Sequence, residues 1–138
     1  MKDKGKYFDV NVFVYYLTGD KNYGERAKNW LSVEDNKYTS VVTPFLLTVV
    51  LGKILGRSLK DYDFIKTINE ALESLRIEYL ELPEWSKIVD NVKRYDIDLE
   101  DSIHVTTALE NGLEIISDDS ELKKKVKAEF YSMKILNL

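Results

Sequence analysis

Lys6-Tyr7-Phe8-Asp9-Val10-Asn11-Val12-Phe13-Val14 decides how this chain is read. Residues of about 6–10 have the character of a short strand, an aspartate stands at its end, and an apolar run continues beyond it. The pattern returns near the C-terminus, where the strand-like Leu113-Glu114-Ile115-Ile116-Ser117 runs into Asp118-Asp119. Between the two, Asp101 opens a helical stretch, Asp101-Ser102-Ile103-His104-Val105. In a parallel α/β sheet, acids that end strands or begin helices lie at the edge where loops and helix N-termini converge. Asp9, Asp101 and Asp119 are therefore predicted to meet there.

Outward from these stretches, the residue period alternates between two and 3.6, as it does when strands are separated by helices. Strands are predicted at about 6–10, Tyr38–Val42, Ile77–Leu82, Leu113–Ser117 and Phe130–Leu136. Apolar stripes mark helices through Tyr23, Ala27 and Leu31, through Phe64, Ile68 and Leu72, and through Trp85, Ile88 and Val92. Pro83 is expected just inside the first turn of the last of these, and Gly112 suits the end of the helix carrying Asp101. Thr43-Pro44 predicts the N-cap and first residue of a helix running to Gly56, apolar on every side from Phe45 to Leu51. Such a helix must be buried, and a second copy of the chain is the favoured cover. The order predicts one three-layer α/β/α domain over residues 1–138, with a central, mostly parallel sheet of about five strands.

Composition narrows the chemistry. The 138 residues suffice for one core, and hydrophobic residues at 44% with charged residues at 32% leave no tract for a linker. The absence of cysteine and the single histidine exclude disulfides, thiolate catalysis, cysteine-ligated zinc and any two-histidine mechanism. A net charge of −4 argues against coating nucleic acid by bulk electrostatics, although a local basic face would still admit a phosphate backbone. Met1-Lys2-Asp3-Lys4-Gly5 lacks the apolar stretch of a leader, which predicts a cytoplasmic protein. Val41–Leu51 is shorter than the roughly 20 residues that cross a bilayer, so no membrane association is expected.

Gathered carboxylates repel and stay ionised only beside a counter-charge; with oxygen donors alone, that points to Mg²⁺ or Mn²⁺. Phosphodiester hydrolysis is the reaction that best uses such an ion. Asn11 would hold an aspartate or a water, and Ser117 would orient Asp119. Local readings stand beside this one: Asp9 as a helix cap, Asp98-Leu99-Glu100-Asp101 as a capping box, Asp119 as a turn residue. Lys123, Lys124, Lys125 and Lys127 read as a solvated face or an RNA-steering one, as do Lys53, Arg57 and Lys60. For His104, Tyr15 and Tyr16 packing is favoured over contact with phosphate or bases.

Phe8-Asp9-Val10-Asn11-Val12-Phe13-Val14, Leu99-Glu100-Asp101-Ser102-Ile103-His104-Val105-Thr106-Thr107-Ala108-Leu109 and Ile115-Ile116-Ser117-Asp118-Asp119-Ser120-Glu121-Leu122 resemble the three acidic motifs of PIN-domain nucleases, VapC-type toxins among them. The resemblance spans nearly the whole chain in the right order. It implies an Mg²⁺- or Mn²⁺-dependent endoribonuclease that hydrolyses RNA phosphodiester bonds, works as a homodimer and is inhibited by a small antitoxin. Asp9, Asp101 and Asp119 would be the catalytic metal ligands, supported by Asn11, Ser117 and Glu121. The family's second acid lies in the helix after the second strand, and matching Thr43 to the hydroxyl residue that opens that helix puts it at Val49. No acid occurs between Asn36 and Lys60. Valine there implies weakened metal binding, with Glu121, Asp118 or a water filling in. The alternative is a catalytically inactive PIN-like module that binds RNA or an antitoxin-like protein. A response-regulator receiver would also cluster aspartates, but its third strand wants a phospho-acceptor where this chain has Glu81-Leu82-Pro83.

Overall fold

In β1 (Lys6–Phe8), Tyr7 and Phe8 are both fully buried, as consecutive residues are when a strand lies between two layers. The computed structural model describes residues 5–33, 35–126 and 130–132. After β1 come α1 (Val10–Thr18), α2 (Gly24–Val33), β2 (Lys37–Ser40), α3 (Thr43–Leu55), α4 (Tyr62–Ser74) and β3 (Glu78–Leu80). They are followed by α5 (Trp85–Tyr95), α6 (Leu99–Glu110), β4 (Glu114–Ser117), α7 (Ser120–Val126) and β5 (Phe130–Ser132). The sheet has five strands in the order β3-β2-β1-β4-β5, every neighbouring pair parallel.

Alternation along the central strands divides the core. Phe8 and Ile116 pack with Val12 and Phe13 of α1, Leu31 of α2, Leu47 and Leu51 of α3 and Leu72 of α4. Tyr7 and Ile115 pack on the other face with Val105 and Ala108 of α6 and Leu122 and Val126 of α7. α5 lies against α6, where the Ser102 hydroxyl donates to the carbonyl of the buried Ile88 at 2.6 Å. The result is the expected α/β/α sandwich.

From β1 the chain moves outward to β2 and β3, then returns to β4 on the other side of β1 and ends at β5. Connectivity thus reverses between β1 and β4, and a parallel sheet opens its ligand crevice at the carboxyl ends of such a pair. Asp9 and Ser117-Asp118-Asp119 occupy those ends.

Several boundaries differ from the sequence expectation for local reasons. Val10 begins α1 instead of ending β1, because Asp9 is extended (ψ 157°) and its Oδ1 accepts from the Val10 N–H. Thr43 is not a cap: its hydroxyl lies 2.7 Å from that of Thr39, and Val42 caps α3 without a side-chain bond. Pro83 precedes α5, whose N-cap is Glu84. Gly112, at φ 64°, follows α6 as expected, and Leu113 N–H reaches back to the Ala108 carbonyl at 2.9 Å. Residues 133–136 of the expected fifth strand lie outside the described residues.

α3 departs most. Leu47 and Leu51 are buried, but Phe45 is 67% exposed and Ile54 56%, so the chain by itself covers one side of a helix that is apolar all round. Among the described residues no helix is long and apolar enough to cross a membrane.

Candidate acidic site at the carboxyl ends of β1 and β4

Ser117 ties two of the acids together. Its hydroxyl donates to Asp9 Oδ2 at 2.9 Å and accepts the Asp119 N–H at 3.1 Å. Asp119 Oδ1 accepts from the N–H groups of Glu121 and Leu122, at 3.1 and 3.0 Å, using the first turn of α7 to fix its orientation. Asp101 is the third residue of α6, and its N–H is taken by the N-cap Asp98 at 2.8 Å. The capping reading and the site reading therefore coexist: Asp98 caps the helix, while the Asp101 side chain lines a cleft of about 210 Å³.

The electrostatics of Asp101 gather all three acids. Burial, first, and then the negative charges of Asp98, Asp9, Asp119 and Glu100 push its carboxyl up to about 7 from an ordinary 3.8. Near neutral pH it is shared between a proton and a bare charge, a state that a bound cation relieves. Burial and the neighbouring Asp9 likewise push up the Tyr7 phenol, which stays protonated.

Other expected site residues are placed unevenly. Glu121 is exposed on the cleft rim, 3.5 Å from Lys124. Asn11 is exposed on the first turn of α1 and, among the described residues, makes no side-chain hydrogen bond to the acids. The Asp118 carboxylate accepts the Tyr15 hydroxyl, and the Tyr15 ring packs 5.1 Å from that of Tyr23, so both serve to join α1 to the β4–α7 loop. Arg57 is paired with Asp61 and lies over the Phe64 ring at 5.5 Å. Lys127 falls outside the described residues.

Val49 is not at the acidic edge. It lines an apolar groove of about 330 Å³ between α3 and α4, with Pro44, Phe45, Leu59 and Ile65. The face of α3 nearest Asp9 is marked by Thr43, bonded to Thr39, whose hydroxyl donates to the Phe8 carbonyl at 3.0 Å. One turn on, that face carries Leu46 and Leu47, whereas Val49 is roughly 120° away around the helix.

Sequence reasoning missed Asp96 as a cleft residue and did not separate Lys125 from its lysine run. Lys125 Nζ donates to the Asp96 carbonyl at 2.7 Å, and both line the cleft beside Asp98, Asp101 and Asp119. No sequence signal marks Asp96, which takes a left-handed conformation (φ 54°) to end α5 although it is not glycine.

The donor chemistry suits a hard cation, since every candidate ligand is a carboxylate. Among the described residues, however, no three such side chains stand close enough to grip one ion directly. Both oxygens of Asp9 already accept hydrogen bonds. Asp101 is raised by burial first and by its neighbours' charges second, and those charges act beyond the range of direct coordination, so the two observations are compatible. They fit an ion that keeps much of its water and takes one or two carboxylates, as Mg²⁺ does.

The sequence signature of the PIN domain matches residues 6–128. No curated protein matches the chain. Among solved structures it is similar to a toxin-antitoxin complex from Klebsiella pneumoniae, with a TM-score of 0.72 and 18% identity over 92% of this chain and 96% of that one. It is similar also to FitAB bound to an IR36 DNA fragment (TM-score 0.70, 17% identity, 92% and 94% covered). A protein of Pyrobaculum aerophilum gives a TM-score of 0.67 at 16% identity, with 96% and 92% covered. At these identities the likeness carries the fold.

Proposed function

We propose, from the premise that this chain belongs to the PIN-domain family, that it is a divalent-metal-dependent endoribonuclease working at the β1–β4 edge. The observation that carries this reading is Asp101, half-buried at the head of α6 and held near 7 by burial and by surrounding carboxylates that include Asp9 and Asp119. Asp101 and Asp119 would hold Mg²⁺ or Mn²⁺, with Asp9 steadied by Ser117 to receive its waters. A bound ion there lowers the pKa of a water and polarises a phosphoryl oxygen.

The residues prepare that chemistry in separate ways. Asp101 would give up its proton to a bound cation, whose charge would offset part of that of the surrounding carboxylates. Ser117 fixes the spacing of Asp9 and Asp119, and the first turn of α7 leaves Asp119 Oδ2 directed away from its own backbone bonds. Glu121 supports from the rim. Lys123 and Lys124, exposed on α7, offer a phosphate backbone its approach past an otherwise acidic cleft. The test is cleavage of single-stranded and structured RNA by the full chain with Mn²⁺. Cutting that chelator and Asp101→Asn both abolish is expected; cutting that Asp101→Asn leaves intact contradicts the assignment.

The expected partners are a second copy of the chain and a small antitoxin-like protein. Support comes from the apolar groove between α3 and α4, with Phe45 and Ile65 open to solvent, and from the toxin-antitoxin complex among the similar structures. A cytoplasmic location fits an RNA substrate.

The absence of a third direct ligand among the described residues favours a second reading, a PIN-like module that binds RNA or an antitoxin-like protein without cutting. Tight RNA binding with no Mn²⁺-dependent turnover would select it.

A further inference from the structure

Below the acidic edge lies a buried polar contact that the proposed chemistry does not use. His104 is 2% exposed, and its Nδ1 lies 2.6 Å from the Tyr7 hydroxyl. Its Nε2 is buried with no hydrogen-bond partner. An unpaired buried ring nitrogen is costly, and a leucine would fill similar space without it, so the imidazole is explained by what its other nitrogen holds.

What it holds is a junction. Tyr7 stands two residues before Asp9 on β1, and His104 one helical turn after Asp101 on α6. The two rings are 5.6 Å apart and tilted by 57°. The side-chain bonds of α6 to a neighbouring helix run to α5, from Ser102 to the Ile88 carbonyl, from Asn91 to Thr106 and from Lys87 to Glu110. Thr107 bonds within α6 itself. Among the described residues, the Tyr7–His104 bond is the side-chain hydrogen bond that joins α6 to the sheet. Apolar contacts through Val105 and Ala108 pack the helix onto the strands, and the Tyr7–His104 bond adds a directional tie to that packing.

We propose that Tyr7 and His104 are a positioning pair that fixes α6 against β1 and so holds Asp101 at its working distance from Asp9. The inference rests on reading these acids as a divalent-cation site.

The test is Mn²⁺ titration of the full chain, followed by electron paramagnetic resonance, for wild type, Tyr7→Phe, His104→Leu, the double variant and His104→Asn, with thermal melts alongside. Tyr7→Phe keeps the ring and loses only the hydroxyl, which also bonds toward Thr39, Thr43 and the Ser40 backbone, so it is the worse of the two single variants. Partners that orient ligands from behind are worth about 10- to 100-fold in metal affinity, and a pair acting through the backbone belongs at the low end, so each single variant should weaken Mn²⁺ about tenfold. The double variant should lose no more than the worse single one, and His104→Asn, whose amide stands where Nδ1 stood, should recover most of the loss. Melting shifts with unchanged Mn²⁺ affinity would reduce the pair to a packing contact and overturn the inference, as would losses that add in the double variant or that asparagine does not recover. A wild type that binds no Mn²⁺ overturns the cation-site reading itself, and this inference with it.

Discussion

The β1–β4 edge and the outer face of α3 and α4 are incomplete in opposite ways. At the edge, Asp9, Asp119 and the backbone of Asp101 are each fixed by hydrogen bonds of 2.7–3.1 Å, and burial together with the charges gathered there pushes the Asp101 carboxyl up. On the helix face the polar contacts of the groove stay within single helices, Thr48 to Pro44 in α3 and Asn69 to Glu73 in α4, and large side chains such as Phe45 and Ile54 stand in water. Directional bonds can order groups that repel, whereas apolar surface is ordered only by whatever covers it. On the proposed function one region would take a cation and the other a partner surface, so changes in one should leave the other alone.

The largest effect is expected from Asp101→Asn. It should weaken Mn²⁺ at least about a hundredfold, since a ligand matters more than the groups that orient it. Without metal it should raise the melting temperature at pH 8, because it removes a charge disfavoured by burial and repelled by its neighbours. Phe45→Glu should weaken self-association roughly thirtyfold in analytical ultracentrifugation, the effect of losing one interface anchor, without moving Mn²⁺ affinity. A joint shift would break the separation drawn between the two regions. Leu46→Glu, on the face of α3 that Thr43 turns toward Asp9, should tighten Mn²⁺ about tenfold. Val49→Glu, in the apolar groove, should leave Mn²⁺ affinity unchanged.

A pH series reads the same carboxyl without a substitution. The folded chain holds the Asp101 proton more tightly than the unfolded chain, whose carboxyl lies near 3.8, so the metal-free protein should lose stability as pH rises from 3.8 toward about 7 and level off above. Mn²⁺ competes with that proton, and its affinity should rise about tenfold per unit up to about pH 7, then flatten. A flat profile from pH 5 to 8 would remove Asp101 from the site.

The same contrast decides what the sequence revealed. Asp9, Asp101 and Asp119 stood out because each lies where one period gives way to another, and topology alone brings such positions to one edge. Ser117, the last strand residue before the acids, stood out for the same reason. α3 was opaque: with apolar residues on every side its pattern carries no phase, so the burial of Leu47 and the exposure of Phe45 had no sequence signal. Counting from Thr43 puts the acid that the family resemblance implies at Val49, which lines the α3–α4 groove. Tyr7 and His104 meet across 97 positions of sequence, and neither has a local feature that announces the other.

Anomalous diffraction from Mn²⁺-soaked crystals at pH 8 tests the central claim most directly. A peak is expected at coordination distance from Asp101 and Asp119, with Asp9 no farther than one bridging water, and no peak in Asp101→Asn crystals. A peak elsewhere, or none at Mn²⁺ concentrations that support RNA cleavage, would contradict it.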